Sequence, residues 1–261
     1  MIVFCNGMQR SGSTWAYNVI LELLRSCDPN QSILGVYDEH PGMLLSNLDP
    51  TWSHIVIKAH ALDNAGYVLC RTGAGRSIFT WRDPHDAIAS LMRTFGHSFE
   101  TSVESIRKSI GVWGFCRTTP TSTIVSYRSI IETPSFAIRR IAADLGFDVS
   151  AQQIDRVADA TSFERMKRVS QAVEQLDSGR IIRDGVYTYD RETLLHQDHI
   201  RNGGSGYGKQ MLSPQQVCSI DAMMEESGFW SLVDSDCQLQ NRRSEGHSLP
   251  IHHTPIPPSP R

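Results

Sequence analysis

The chain has 261 residues and a net charge of −3. That length supports one sizeable core, and the missing basic excess argues against a general binder of nucleic acid or of a membrane surface, so any bound anion must be held by a few local cations. The six cysteines, at 5, 27, 70, 116, 218 and 237, form no C-x-x-C pair and no metal-ligand spacing, a pattern that suits a reduced, cytoplasmic protein with no bound metal.

The opening MIVFCNG is too short an apolar run for a secretory signal, and no later stretch approaches the roughly 20 residues of a membrane span. It reads as a buried strand, Ile2 to Cys5, entering a glycine loop from Gly7 to Gly12. A helix then carries Trp15, Val19, Ile20, Leu23 and Leu24 on one face. It stops at Asp28-Pro29-Asn30, because proline cannot continue it. HIVIKAH (54–60) reads as a second buried strand, and RSIFTWRD (76–83) as a third, followed by a helix from Asp86 to Phe95. STIVSY (122–127) reads as a fourth, before a helix through Phe136 to Leu145 that ends at Gly146. Residues 151–177 are polar and helical, and 196–212 form a glycine-rich loop, HQDHIRNGGSGYGKQML. A last helix starts at Ser213-Pro214, with serine as N-cap and proline in the first position. From Cys237 onward apolar content almost vanishes, which predicts a disordered tail over 237–261 and a single domain over 1–236. Short apolar strands alternating with amphipathic helices predict an α/β fold of the P-loop type, three layers α/β/α around a mainly parallel sheet.

In a parallel sheet, ligands bind beyond the carboxyl ends of the strands, and four strands here deliver polar residues to those ends. GMQRSGST (7–14) matches the phosphate loop G-x-x-x-x-G-K-[ST], except that Ser13 stands at the lysine position and the loop's cation, Arg10, comes three residues earlier. Backbone N–H groups around Arg10, Ser11, Gly12, Ser13 and Thr14 form an anion site if a helix starts there. The bland alternative is a glycine turn capped by Ser11 or Ser13. Arg82 closes a strand and Ser90 lies one helical turn past Asp86, so a guanidinium and a hydroxyl can converge on one phosphate. A surface ion pair, a solvated serine and a helix capped by Asp83 or Asp86 explain the same residues without a ligand. Lys58 and His60 alternate along a strand, so both point the same way. An imidazole beside an ammonium loses proton affinity, leaving the neutral form that a general base needs near pH 7; a hydrogen-bonded histidine at a strand end is the alternative.

In this order, these elements resemble the cytosolic-type sulfotransferases that use 3'-phosphoadenosine 5'-phosphosulfate (PAPS), with a likeness to bacterial and cyanobacterial members. QRSGSTW (9–15) is similar to their P-K-S-G-T-T-W loop, with Arg10 at the lysine position and Trp15 closing it. Lys58-Ala59-His60 matches their K-x-H strand motif, and Arg82 followed eight residues later by Ser90 matches their 3'-phosphate motif. Tyr127 in IVSYRSI stands at their adenine-side tyrosine, TSFERM (Thr161 to Met166, including Phe163) at their T-S-F-x-x-M, and RNGGSGYGK (Arg201 to Lys209) at their R-K-G-x-x-G-D-W-K. Six elements span about 200 residues. Three departures stand out. Arg10 presents a planar fork instead of a mobile ammonium; Asn202 replaces a lysine beside Arg201 and Gly203; and Tyr207-Gly208 replaces the D-W pair.

The resemblance implies PAPS as co-substrate, no metal, and sulfuryl transfer to a hydroxyl or amine of a small organic acceptor. It implies His60 as base, with Lys58 and Arg10 stabilising charge on the transferring group. The 5'-phosphate falls to Arg10, Ser11, Gly12, Ser13 and Thr14, and the 3'-phosphate to Arg82, Ser90, Arg201, Asn202 and Gly203. Trp15, Tyr127 and Phe163 are left to the adenine, and Thr161 is a further cofactor-binding position. The acceptor is expected between the motifs, against Tyr37, His40, Met43 and Trp52 and against Met92, Phe95, His97, Phe99 and Trp113, with membership of the core as the alternative for the same residues. A saxitoxin-type alkaloid is compatible in size, by analogy alone. A homodimer stays open, although the family's C-terminal dimer segment is not evident in the tail. The rival readings are a P-loop small-metabolite kinase, which needs a cation at position 13 and a magnesium-holding acid, and a non-catalytic nucleotide-binding relative.

Overall fold

Strand and helix alternate through most of the chain in the computed structural model, which describes residues 1–49, 51–185, 187–200, 204–230 and 233. In order, β1 (Ile2–Gly7) leads into α1 (Ser13–Cys27), β2 (Ile33–Tyr37), α2 (Pro41–Asn47), β3 (His54–Lys58), α3 (Asn64–Thr72), β4 (Gly75–Trp81) and α4 (Pro84–Phe95). Then come α5 (Phe99–Thr118), β5 (Ser122–Ser126), α6 (Tyr127–Glu132), α7 (Pro134–Leu145), α8 (Ala151–Ala160) and α9 (Phe163–Gln171). A hairpin of β6 (Ile181–Asp184) and β7 (Tyr187–Asp190) precedes α10 (Gly208–Met211) and α11 (Pro214–Glu226).

The first five strands form one sheet in the order β2-β3-β1-β4-β5, each neighbouring pair parallel. β1 is central, and the chain lays β2 and β3 on one side of it and β4 and β5 on the other. The loop after β1 therefore emerges where the strand order reverses, which is where open α/β sheets bind ligands. Side chains alternate between the two faces. Val3, Cys5, Val56, Ile78 and Val125 join α1, α7 and α8 in one buried cluster. Phe4, Ile57, Phe79 and Ile124, one residue out of step, are buried on the opposite face, where α3 packs on β4 and α5 on β4 and β5. The result is the expected three-layer α/β/α arrangement.

Several elements depart from what the sequence pattern led us to expect. β2 is a five-residue edge strand, its first four residues part-buried and Tyr37 exposed, so it lacks the continuous apolar run of a central strand. Residues 99–118 form a full helix, α5, opened by Ser98, whose side chain accepts from the Thr101 N–H. Its exposed Gly111 and Gly114 break the periodicity that would have announced it. The stretch 151–177 is not one helix, because α8 ends at Thr161, whose hydroxyl turns back to the Val157 carbonyl, and α9 begins afresh at Phe163. The last helix is capped as its sequence indicates: the Ser213 N–H donates to the Gln216 side chain, and the Gln216 N–H to Ser213 Oγ.

The described residues fall into two compact units, one over 1–220 and one from 221 on, the division falling within α11. In the second, Phe229 and Trp230 meet edge to face with centroids 5.3 Å apart. The tail expected over 237–261 lies outside the described residues. One of the acceptor-lining expectations is corrected here. Trp113 is buried to 1% exposure in α5 and belongs to the core. Trp113→Ala is therefore expected to lower the unfolding free energy by about 3–5 kcal/mol in a urea melt; a loss under about 1 kcal/mol would remove the ring from the core.

Candidate active site

The glycine loop builds a cradle from its own backbone. Gly12, the N-cap of α1, adopts a left-handed conformation at φ 95°, and a Cβ there would meet the Ile130 side chain at 2.8 Å. Glycine is the residue that fits both demands. No side chain caps the helix, and its first intrahelical bond runs from the Ala16 N–H to the Gly12 carbonyl. The N–H groups of Ser13, Thr14 and Trp15 precede that bond and point along the helix axis, the usual arrangement for holding an anion. Ser11 plays a different part from the one its position suggests. It is fully buried, its N–H donates to the Met8 carbonyl, and its hydroxyl bonds Met8 O, Thr80 O and Thr80 Oγ1. Its N–H closes the loop on Met8, its hydroxyl joins the loop to Thr80 of β4, and neither caps α1. Trp15 is buried in the core cluster beneath the loop.

Two guanidinium groups face this cradle. Arg82, at the end of β4, is buried, and its Cζ lies 4.3 Å from the centre of the Tyr127 ring. It donates from NH1 to the Arg10 carbonyl at 3.3 Å and from NH2 to the Gly204 carbonyl at 2.5 Å. Its Nε is buried without a hydrogen-bond partner among the described residues. Arg10 has φ 67°, uncommon for a residue with a side chain. Its Nε–H donates to Ser90 Oγ at 2.9 Å. The expected convergence of Arg82 and Ser90 thus takes a different form: Ser90 bonds Arg10, and Arg10 bridges the loop to α4. Burial and then the nearby Arg82 charge lower the pKa of Arg10 to about 10. Arg93 and Tyr207 complete the patch, with Arg93 Cζ 4.9 Å and Arg82 Cζ 5.5 Å from the Tyr207 ring centre. Tyr207, which departs from the family's D-W pair, thus offers an aromatic face to both arginines.

Asp86 ties the C-terminal glycine loop to this patch. Its buried carboxylate accepts from the N–H groups of Gly206 and Gly208, each at 2.7 Å, and lies 3.6 Å from Arg82. A Cβ on Gly208 would run into the backbone of His85 and Asp86, so a bare backbone is what lets the loop approach α4. Asp83, not Asp86, caps α4, accepting from the His85 and Asp86 N–H groups. Arg201, Asn202 and Gly203, expected in the phosphate contacts, lie outside the described residues.

On the other side of β1, β3 delivers Lys58 and His60. Lys58 Nζ and His60 Nε2 are 3.5 Å apart, and His60 Nδ1 lies 3.2 Å from the Gly7 carbonyl. A carbonyl only accepts, so Nδ1 carries the proton and Nε2 keeps its lone pair toward Lys58. Burial, then Lys58, lowers the His60 pKa to about 3, and burial, opposed by Glu39, lowers that of Lys58 to about 8. Glu39, which drew no attention in the sequence, holds the turn: its carboxylate accepts from the N–H groups of His60 and Ala61 and from the Tyr37 hydroxyl. Tyr37 faces both basic groups, 6.4 Å from the His60 ring and 4.9 Å from Lys58 Nζ.

Of the remaining expected residues, Tyr127 lies between Arg82 and Gly12, where an added Cβ on the glycine would meet its ring at 3.6 Å. The Thr161 hydroxyl is engaged by Val157, and Phe163 opens α9, part-buried. Phe95 lies under Arg10 and against His97, while Met43 and Trp52 are exposed. Among the described residues no group of three or more His, Cys, Asp or Glu side chains is placed to hold a metal ion, and no helix is long and apolar enough to cross a membrane.

Sheet order and cradle define a P-loop-type α/β protein with a cationic cradle at the end of β1. The sulfotransferase domain family matches residues 2–227, and the chain belongs to that family. Cytosolic sulfotransferase 17 of Arabidopsis thaliana is 24% identical over 185 residues, covering 59% of this chain and 51% of that protein, so the chain spans about half the length of this curated relative. Among solved structures, mouse sulfotransferase SULT7A1 complexed with PAP gives a TM-score of 0.66 at 18% identity, covering 93% of this chain and 88% of that one. Retinol dehydratase in complex with androsterone and the inactive cofactor PAP gives 0.63 at 15% identity, covering 87% and 80%. At such identities the likeness is one of fold.

Removing a buried carboxylate that faces a buried guanidinium leaves an uncompensated charge. Asp86→Ala is expected to lower the unfolding free energy by about 3–5 kcal/mol and to speed amide exchange at Gly206 and Gly208. Unchanged exchange there would mean that other groups hold the loop.

Proposed function

We propose that the chain is a PAPS-dependent sulfotransferase that moves a sulfuryl group to a hydroxyl or amine of a small organic acceptor in the cytoplasm. The observation that carries this reading is the pairing of a neutral imidazole with an anion cradle. His60 is oriented by the Gly7 carbonyl with its Nε2 lone pair toward Lys58 and able to accept a proton, beside a loop flanked by two arginines, one of which has a buried Nε unpaired among the described residues. The unpaired N–H and the open first turn of α1 fit a donor with two phosphate groups. Membership of the sulfotransferase domain family supports the same reaction.

The donor supplies the sulfuryl group and a 3',5'-bisphosphate leaving group; the chain supplies the rest. His60 Nε2 takes the acceptor proton, its Nδ1–H remaining on Gly7 O. Lys58, as an ammonium, stabilises charge that develops on the transferring group and the leaving oxygen, with Arg10 assisting. Ser13, Thr14 and the start of α1 hold the 5'-phosphate, and Arg82, Ser90, Arg201, Asn202 and Gly203 read the 3'-phosphate. Tyr127 and Phe163 bound the adenine side, with Trp15 packed beneath the loop. A saxitoxin-type acceptor remains an analogy of size. The kinase alternative lacks the cation at position 13 that would bridge the β- and γ-phosphates. A thermal-shift comparison separates the two: adenosine 3',5'-bisphosphate should stabilise the chain, and stabilisation by ATP–magnesium alone would overturn the reading.

His60→Ala should lower turnover about 10²–10⁴-fold while leaving the dissociation constant for adenosine 3',5'-bisphosphate, measured by calorimetry, nearly unchanged. Turnover close to wild type would remove His60 as the base. In an NMR titration of the free chain, His60 should stay neutral from pH 8 down to about 5, because its pKa lies near 3. Lys58 acts as a cation with a pKa of about 8, so kcat/KM falls as pH rises through that value, and Lys58→Arg flattens the alkaline limb. An alkaline limb unchanged by Lys58→Arg would assign it to another group.

A further inference from the structure

We propose that His199 is a positioning residue for the loop arginine: it aims the Arg10 guanidinium so that the N–H groups left over are presented to an anion. This rests on the reading of Arg10 as a donor-binding residue. Arginine has five N–H groups and no acceptor. Arg10 commits Nε–H to Ser90 Oγ, one NH1 hydrogen to His199 Nε2, and one NH2 hydrogen to the His199 carbonyl at 3.2 Å. One hydrogen on each terminal nitrogen remains to reach an anion. Because a guanidinium only donates, His199 must be neutral, with its proton on Nδ1 and its lone pair on Nε2.

His199 is itself fixed from several sides. Its N–H donates to Ser170 Oγ at 3.0 Å, that hydroxyl donates to the His196 carbonyl at 2.7 Å, and the Asp198 N–H donates to the Ser170 carbonyl at 3.1 Å. Ser170 is fully buried in α9. The imidazole lies between the rings of Phe95 and His196, each centroid 5.2 Å away, and the Arg10 Cζ is 5.5 Å from the same Phe95 ring. Guanidinium and imidazole thus share one aromatic neighbour and are joined through both a ring nitrogen and a backbone carbonyl. A lysine at position 10 has three N–H groups on one atom and could not meet Ser90, both His199 acceptors and an anion together. His199 therefore gives the arginine at this position its structural counterpart.

Calorimetric titration of the full chain with adenosine 3',5'-bisphosphate tests this, with thermal melts to check folding. His199→Leu removes the ring acceptor and should weaken binding about tenfold, whereas His199→Gln, whose carboxamide oxygen reaches the position of Nε2, should stay within about twofold of wild type. In an Arg10→Lys background the same His199→Leu change should cost less than about twofold. A merely structural histidine gives equal losses in both backgrounds, and that result, or unchanged affinity in His199→Leu, overturns the proposal. Should His199→Leu fail to fold, His199→Gln compared with the shorter His199→Asn decides: the glutamine variant should bind about tenfold more tightly, and equal affinities overturn the proposal. Failure of the wild-type chain to bind the bisphosphate is a distinct outcome, which overturns the reading of function and this inference with it.

Discussion

Cations gathered at the carboxyl ends of a parallel sheet, with too few carboxylates beside them, are the constraint on which the site depends. Lys58 and Arg82 are buried and Arg10 is partly so, and removing such groups from water is costly unless opposite charge or hydrogen-bond acceptors replace the lost hydration. Asp86 faces Arg82, and Glu39 raises the proton affinity of Lys58. Burial nevertheless dominates, and both Arg10 and Lys58 hold their protons less tightly than they would in water. Carbonyl oxygens of Arg10, His199 and Gly204 and the faces of Tyr127, Phe95 and Tyr207 supply much of the remaining compensation. An anion would supply the rest, and the chain's acidic net charge makes this a local property of one sheet end.

The same constraint explains why remote segments converge. Asp86 gathers Gly206 and Gly208 against α4, Ser170 fixes the turn carrying His199 from α9, and Glu39 pins the turn after β3 from the end of β2. None of these three touches a substrate in the mechanism proposed. Each instead uses a polar group to satisfy backbone N–H or C=O groups that a site in contact with water on one side would leave poorly paired. The chemistry-bearing residues therefore sit on short strand ends, and long-range polar contacts decide where those ends point.

Much of this was legible in the sequence because the informative residues follow central strands. Ile2 to Gly7, His54 to Lys58 and Gly75 to Trp81 are apolar runs with a change of composition at their ends, so Arg10, Lys58, His60 and Arg82 could be placed before any coordinates. β2 and α5 were not legible, the one because an edge strand is half exposed, the other because exposed glycines interrupt its period. Within the site, Ser11 looked like a ligand-facing serine, yet its hydroxyl closes the loop onto Thr80; local spacing does not report which way a loop serine turns. Asp86 was visible as a helix-start acid, but its partners lie 120 residues away. Glu39 belongs to no run or motif, and His196 and His199 stand in the glycine-rich 196–212 stretch with no role signalled by their spacing, so their importance comes from tertiary approach.

The Gly7 carbonyl accepts from the imidazole of His60, and Gly7 is also the residue from which the phosphate loop departs. Base and cradle consequently share a hinge point on β1, with no intervening side chain to absorb movement. A displacement of the loop is a displacement of the imidazole's anchor, so in the mechanism proposed seating one substrate and aiming the base at the other would be a single mechanical event.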